Sequence, residues 1–351
     1  MKSTRIALMG IGKIGCELFR RTVNNKAISY VAVGDSSGFL VKKTCFSDCE
    51  LTGIIDYKVK GNKIVNYDNL LYAGKCIQDI LRDYEIDILI DVTAEQTNKI
   101  LLKSLEFSNI ITSNKLPFAD VPFADYKQLV DRAISCNRFI DYGTTVGAGL
   151  KIPEIARNFS TEGIVSFSGC LSGTMNYLSQ RLNKGIKLSD AIHEAMNPPR
   201  YYAEADPRVD LSGEDFRRKM VILSRILGKQ IELNHIKIES ILKEEYKKLN
   251  KDDFMNRLPE LDNDLAIKAS NANKRERILW YTGNANLVSD EYQIGFHEIP
   301  SNDIITQCRE SDNIIKIQPR LWRRPVIVIG PGAGTIETVT GLIRGLTSIV
   351  N

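Results

Sequence analysis

The stretch Gly10-Ile11-Gly12-Lys13-Ile14-Gly15 constrains the fold of this chain more than any other feature. It follows a short apolar run, Arg5 to Met9, which reads as a strand. It opens a segment, Ile14 to Val23, in which Ile14, Leu18 and Phe19 fall on one side of a helix. In that setting each glycine of G-x-G-x-x-G has a physical task. Gly10 permits a tight turn, Gly12 lets a pyrophosphate approach the backbone, and Gly15 lets the helix pack closely on the strand. The phosphates of a dinucleotide then sit at the helix N-terminus, beside unpaired amides. A second apolar run, Tyr30 to Val33, ends at Gly34-Asp35. Asp35 stands 20 residues beyond Gly15, where a carboxylate receives the adenosine ribose hydroxyls. The alternative is a plain glycine turn with a strand-end aspartate, which requires these features to coincide without cause. A carboxylate at position 35 repels the 2′-phosphate of NADP and so favours NAD. Ser36, Ser37, Lys42 and Lys43 follow closely and can still receive a phosphate, so the preference for NAD is mild.

The same alternation continues. Ile86 to Val92 (IDILIDV) is nearly continuous in apolar residues, as expected of a parallel strand covered on both faces. Ile110 to Thr112 and Phe139 to Tyr142 repeat the pattern after helical segments. The fold class is therefore α/β: an N-terminal Rossmann-type, doubly wound parallel sheet over residues 1–150. After Gly149 the texture changes. Pro153 begins a helical segment, Val165 to Leu171 reads as a strand and Thr174 to Asn183 as a helix. Ile278 to Tyr281 and Asn313 to Ile317 are further strands among charged helices. A second, α+β domain for substrate binding and dimerisation is expected over residues 151–324. An apolar strand, Pro325 to Gly330, and a helix from about Thr335 close the chain.

Composition excludes several classes. Net charge is +4 and its lysines and arginines are dispersed; Lys243 to Lys251 also holds Glu244 and Glu245 and reads as a solvated helix face. Neither a nucleic-acid nor a membrane partner is implied. No apolar run approaches the roughly 20 residues that span a bilayer, and Ile6 to Met9 is too short for a signal peptide. A cytoplasmic location is expected. The seven cysteines are scattered, and none of the three histidines stands at zinc-ligand spacing to a cysteine pair. Disulfides and transition metals are not expected.

Chemistry concentrates in Tyr202 to Arg225, YAEADPRVDLSGEDFRRKMVILSR. Here Glu204, Asp206, Asp210, Asp215 and Lys219 lie within 16 residues. Ser212-Gly213-Glu214-Asp215 resembles the start of a capped helix with an apolar stripe of Phe216, Met220 and Leu223. Asp215 and Lys219, at i and i+4, project from one face. On that spacing alone, a capping carboxylate and a surface ion pair are the favoured account. Against this, so many carboxylates in one loop repel one another unless a cation, such as a substrate ammonium, joins them. In FSGCLSGTMNY, Phe167 to Tyr177, a strand turns at Ser172-Gly173 into a helix. The amides of Gly173 and Thr174 would suit a carboxylate, or simply belong to a capped turn. Lys115 follows the strand Ile110 to Thr112 in the nucleotide domain, at the end where ligands sit in open α/β sheets. It is a candidate neighbour of the nicotinamide, or an exposed loop lysine.

Taken in order, these residues resemble homoserine dehydrogenase. The resemblance runs over nearly the whole chain: MGIGKIG at the start, TSNK at Thr112 to Lys115, TVGAGL at Thr145 to Leu150, SGTMNY at Ser172 to Tyr177, AEADPRVDLSGEDFRRK, and VIGPGAGTIETVTG at Val328 to Gly341. It implies interconversion of L-homoserine and L-aspartate 4-semialdehyde with NAD or NADP, a step of threonine and methionine biosynthesis. It also implies a homodimer, and a final segment, residues 325–351, that returns to the nucleotide domain. Lys219 is implied as the acid-base residue and Lys115 as its aid at the reacting oxygen. The substrate set is Glu204, Asp215, Gly173, Thr174, Tyr202 and Asp210, with Glu204 on the substrate's amino group. The cofactor set is Gly10, Ile11, Gly12, Lys13, Ile14, Gly15, Asp35, Ser36, Thr93 and Lys115.

The chain departs from the family's pattern in places. Gly143 stands where the family usually has a glutamate beside a monovalent cation. Only backbone carbonyls, those of Val146 and Ala148, remain to bind Na⁺ or K⁺. Pro198-Pro199-Arg200-Tyr201 replaces a glycine usual before the Tyr-x-Glu segment. Neither an N-terminal aspartate kinase domain nor a C-terminal regulatory domain is expected. Two other functions fit the residues: an oxidoreductase of the same fold acting on another small amino or hydroxy acid, and a cofactor-binding regulator without turnover. The second has no use for both Lys115 and Lys219.

Overall fold

The computed structural model describes residues 3–68 and 76–350. Two compact units result: one comprises the chain up to Lys151 together with the stretch from Gly334, the other Ile152–Ala333.

In the first unit, strands β1 (Thr4–Met9), β2 (Ile28–Asp35), β3 (Gly38–Val41), β4 (Ile88–Asp91), β5 (Asn109–Thr112) and β6 (Ile140–Asp141) form one sheet. Their order is β3-β2-β1-β4-β5-β6. All neighbours from β2 to β6 run parallel. The chain crosses from β2 on one side of β1 to β4 on the other, so the switch point lies at the C-terminal end of β1, at Gly10. The parallel α/β sheet expected from the sequence is present. Its edge differs: β3 is antiparallel to β2 across a two-residue turn, Ser36-Ser37. Four residues led by a glycine carry too little periodicity to be read as a strand.

The Thr335–Val350 helix joins this unit. Val339, Leu342 and Leu346, spaced three and four apart, enter a core with Ile6, Leu8, Leu18, Phe19, Val33 and Ile90. The return to this unit starts at Gly334, later than position 325. Between the two, Val326–Pro331 (β12) is a strand of the other sheet.

That second sheet comprises β7 (Ile164–Cys170), β8 (Lys237–Ile238), β9 (Arg277–Asn286), β10 (Glu291–Pro300), β11 (Asp312–Pro319) and β12, ordered β12-β11-β7-β9-β10-β8. All pairs are antiparallel except β10 with β8. Strand β9 extends well past Ile278 to Tyr281, and β10 has no counterpart in the sequence reading. The polar run Thr282-Gly283-Asn284 hides the continuation, yet it has packing reasons. Thr282 Oγ1 lies 2.8 Å from His297 Nδ1 on β10. A side chain at Gly283 would strike Met220 Sδ at 2.6 Å and Phe216 at 2.8 Å, so the glycine lets the Glu214–Ile226 helix lie on the sheet. The stretch expected as one solvated helix face breaks in two. Glu244–Lys247 makes one turn with Tyr246 buried, and Asn250 caps a new helix at Lys251–Arg257 by accepting from the Asp253 amide.

Candidate active site

Each glycine of the first loop does what its position requires. Gly10 has φ +107, and a Cβ there would lie 2.9 Å from Val92 C and 3.0 Å from Thr93 N. A Cβ on Gly15 would collide with the Gly10 carbonyl. Around Gly12, by contrast, a Cβ would meet nothing within 4 Å. Gly12 is also the N-cap of the Lys13–Thr22 helix, with no side-chain cap. Open space above a bare helix N-terminus suits a pyrophosphate. Ile11 is buried, while Gly12 and Lys13 are exposed.

Asp35 ends β2 as expected, but its carboxylate is already engaged. Oδ1 accepts from the Ser37 amide and hydroxyl, and Oδ2 from the Ile64 amide at 3.1 Å and from Lys58 Nζ. Burial works to raise this carboxyl; the hydrogen bonds from Lys58, Ser37 and Ile64 outweigh it and hold the group below its usual range. The carboxylate thus anchors the segment after the hairpin, and Lys58 offsets its charge. Ser36 is exposed at the hairpin tip. Lys42, a candidate phosphate ligand, is bound to Glu50 at 2.7 and 2.8 Å.

At the ends of β4 and β5 lies a polar cluster that the sequence reading missed. Asp91, fully buried, accepts from Thr93 N at 3.0 Å, Thr93 Oγ1 at 2.7 Å and Thr97 Oγ1 at 2.6 Å. The Asn114 side chain reaches Thr93 Oγ1, Thr97 Oγ1 and the Glu95 carbonyl, while its Oδ1 accepts from the Leu116 amide. Burial pushes the Asp91 carboxyl up, against those hydrogen bonds. The cluster fixes the turns carrying Thr93 and Lys115. Lys115 itself is half-buried at the N-cap of Leu116–Ala119. The visible signal was an acidic residue closing an otherwise apolar strand.

In the second unit, β7 leads through Leu171 and Ser172 into the Gly173–Leu182 helix, and Ser172 Oγ accepts from the Met175 amide at 3.3 Å. The capped turn expected as one option is therefore present. Gly173 is pressed against Ser311, whose carbonyl would stand 2.7 Å from a Cβ. Thr174 Oγ1 lies 2.7 Å from the Tyr202 carbonyl and 2.9 Å from Asp210 Oδ1. Asp210 Oδ2 accepts from the Glu204 amide at 2.8 Å. Burial pushes the Asp210 carboxyl up to about 6, with Glu204 and Asp215 adding repulsion. Tyr202 donates to Glu310 Oε2 at 2.7 Å, and burial with that bond pushes its phenol up to about 12. Glu204 is exposed.

Lys219 differs from a surface lysine. It is 7% exposed, donates to the Leu171 carbonyl at 2.6 Å, and meets Asp215 Oδ2 at 2.8 Å. The helix that carries both residues has no capping box. Gly213, at φ +74 and packed against Tyr281, is its N-cap, and Ser212 Oγ accepts from Glu214 N. Asp215 is thus no cap, and the ion pair with Lys219 has one buried member. Tyr201 holds φ +48. The loop that lacks the expected glycine keeps a left-handed backbone where glycine is favoured.

The proposed cation ligands Val146 and Ala148 are buried, and the Ala148 carbonyl accepts the Lys151 amide at 3.1 Å. The carboxylate of this segment, Asp141, binds Lys151 Nζ at 2.7 Å and the Gly143 amide at 2.8 Å. These residues do not fit a separate Na⁺ or K⁺: the anionic oxygen is matched by an ammonium.

Comparison with known proteins identifies the family. The family model described as homoserine dehydrogenase matches residues 152–346. A homoserine dehydrogenase of Schizosaccharomyces pombe is 27% identical, over 99% of this chain and 96% of its own length. A chloroplastic bifunctional aspartokinase/homoserine dehydrogenase of Zea mays is 29% identical over 96% of this chain, which spans 37% of that protein. A solved mutant of a hyperthermophilic archaeal homoserine dehydrogenase, in complex with NADPH, superposes with a TM-score of 0.75 at 19% identity. The superposition covers 99% of this chain and 97% of that one. This chain belongs to the homoserine dehydrogenase family of oxidoreductases.

Proposed function

We propose that the chain interconverts L-homoserine and L-aspartate 4-semialdehyde, with Lys219 as the acid-base residue. The observation that carries this is Lys219 itself. A buried ammonium side chain, held by Asp215 and the Leu171 carbonyl, ends beside a loop of carboxylates at the turn of β7. A bound nicotinamide would supply the hydride in reduction and accept it in oxidation. In reduction, the aldehyde oxygen takes a proton from Lys219; in oxidation, neutral Lys219 receives the alcohol's proton. Glu204, Asp210 and Asp215 supply negative charge for the substrate ammonium. Gly173, Thr174 and Tyr202 shape that loop through the Thr174 bonds to Tyr202 and Asp210. Lys115 is the second lysine of the reaction.

Gly10 to Gly15 would hold the pyrophosphate at the open helix N-terminus, and Thr93 and Ser36 complete the proposed cofactor set. Either nicotinamide serves. Asp35 favours NAD, and Lys58 beside it reduces the repulsion of a 2′-phosphate, so the preference is mild. The NADPH bound to the archaeal relative supports use of NADP(H). Homodimerisation is supported by exposed Leu321, Trp322 and Ile327 on and beside the edge strand β12. No described helix is long and apolar enough to cross a membrane, and the cytoplasm is the proposed location. The deciding assay is aspartate semialdehyde reduction, with NADH and NADPH side by side. No turnover with either, under conditions where the cofactor binds, would leave the regulator reading.

A further inference from the structure

In the first unit, a buried, oppositely charged pair is not used by the proposed chemistry. Lys151 is 6% exposed and Asp141 4%. The carboxylate takes the Lys151 ammonium on Oδ2 and the Gly143 amide on Oδ1. It thereby ties together the two ends of the loop that contains Val146 and Ala148. That loop is unusual: Gly147, Ala148 and Lys151 all have positive φ, at 75°, 44° and 50°. The C-terminal helix seals it. A Cβ at Gly341 would approach the Ala148 carbonyl at 3.2 Å, and one at Gly345 would collide with the Asp141 carboxylate.

We propose that Lys151 is a built-in cation, an ammonium on the chain that supplies the positive charge this loop needs and makes it independent of Na⁺ and K⁺. The physical reason is desolvation. A buried carboxylate needs a positive partner. A bound ion meets that need only when it is present, whereas a lysine five bonds from the backbone meets it permanently. Holding Lys151 at φ +50 is unfavourable for a residue with a side chain, a cost that the buried pair offsets.

The test uses the whole chain and reads Tm first, so it stands apart from the proposed reaction. Melting is followed in NaCl, KCl and choline chloride at equal ionic strength, with steady-state kinetics in parallel. Wild type should give the same Tm and rate in all three. Lys151→Gly removes the charge and suits the left-handed backbone. Its Tm should fall by roughly 6–20 °C, the cost of breaking a buried pair. Millimolar NaCl or KCl should restore part of that loss saturably, and choline should not. Asp141→Asn with Lys151→Gly should melt above the single variant and lose the ion response. Activation of wild type by Na⁺ or K⁺ over choline would overturn the proposal. So would an unchanged Tm in Lys151→Gly, or equal recovery in choline, the behaviour of an ordinary ion pair. If Lys151→Gly fails to fold in every salt, the ion-free pocket cannot be refilled and the proposal is likewise rejected.

Discussion

Replacing Lys219 by methionine separates proton transfer from packing. Methionine keeps most of the aliphatic stem in the buried slot and deletes the ammonium. Two interactions are lost. The bridge to Asp215 is half in solvent, since the Asp215 side chain is 46% exposed, so after screening it contributes at most about 1 kcal/mol. The Leu171 carbonyl loses a buried donor, at a cost of about 1–3 kcal/mol. A loss near 2 kcal/mol in a unit of this size lowers Tm by roughly 4–8 °C, leaving a folded protein at assay temperature. If Lys219 moves the proton, kcat falls roughly 10²–10⁴-fold. The nicotinamide KM should hardly change, because Lys219 lies in the second unit and the glycine loop in the first. Tm and steady-state kinetics are measured on one preparation. A folded Lys219→Met protein with kcat within threefold of wild type would refute the assignment and leave Lys115 as the lysine to test.

Other outcomes follow from the same geometry. Wild-type kcat/KM for NADH and NADPH should agree within about tenfold, and Lys58→Met should depress the NADPH value by roughly a further tenfold, about 1.4 kcal/mol of unscreened repulsion from Asp35; an unchanged ratio would remove Lys58 from cofactor choice. Asp210 carries its own pH dependence. Its folded pKa, about 6, lies above the ordinary 3.8, so the folded state holds the proton more tightly, and this residue's contribution to stability falls as pH rises from about 4 to 6. Asp210→Asn should flatten the Tm profile over that window, and should abolish any rise in homoserine KM as pH drops below about 6; an unaltered Tm profile would contradict the assignment. Asp91→Asn places an amide N–H against donors and should lower Tm by several degrees while raising the nicotinamide KM. A wild-type KM in that variant would show that the cluster does not position the cofactor's turn.

Local rules were enough to read much of this protein from its residues. The glycine loop between a strand and a helix has few physical solutions, and the structure shows open space at Gly12 and close packing at Gly10 and Gly15. The apolar run at Ile86 to Val92 could only be a covered strand. The i, i+4 spacing of Asp215 and Lys219 likewise guaranteed that they would meet on a helix. Spacing says nothing, however, about the burial of one partner. Lys219 became more than a surface ion-pair lysine only when the Leu171 carbonyl, 48 residues away, came within 2.6 Å of it. Asp35 shows the converse. Its place at the strand end was legible, but Lys58 and Ile64, which occupy its carboxylate, arrive from 23 and 29 residues away. Asp141 and Lys151 were separately unremarkable until the fold removed water from both. Periodicity and turn chemistry act between near neighbours and can be read along the chain. Desolvation and long-range hydrogen bonding depend on what the fold brings together, and they decided which charged residues in this chain are held by distant partners, as Asp35 and Lys219 are.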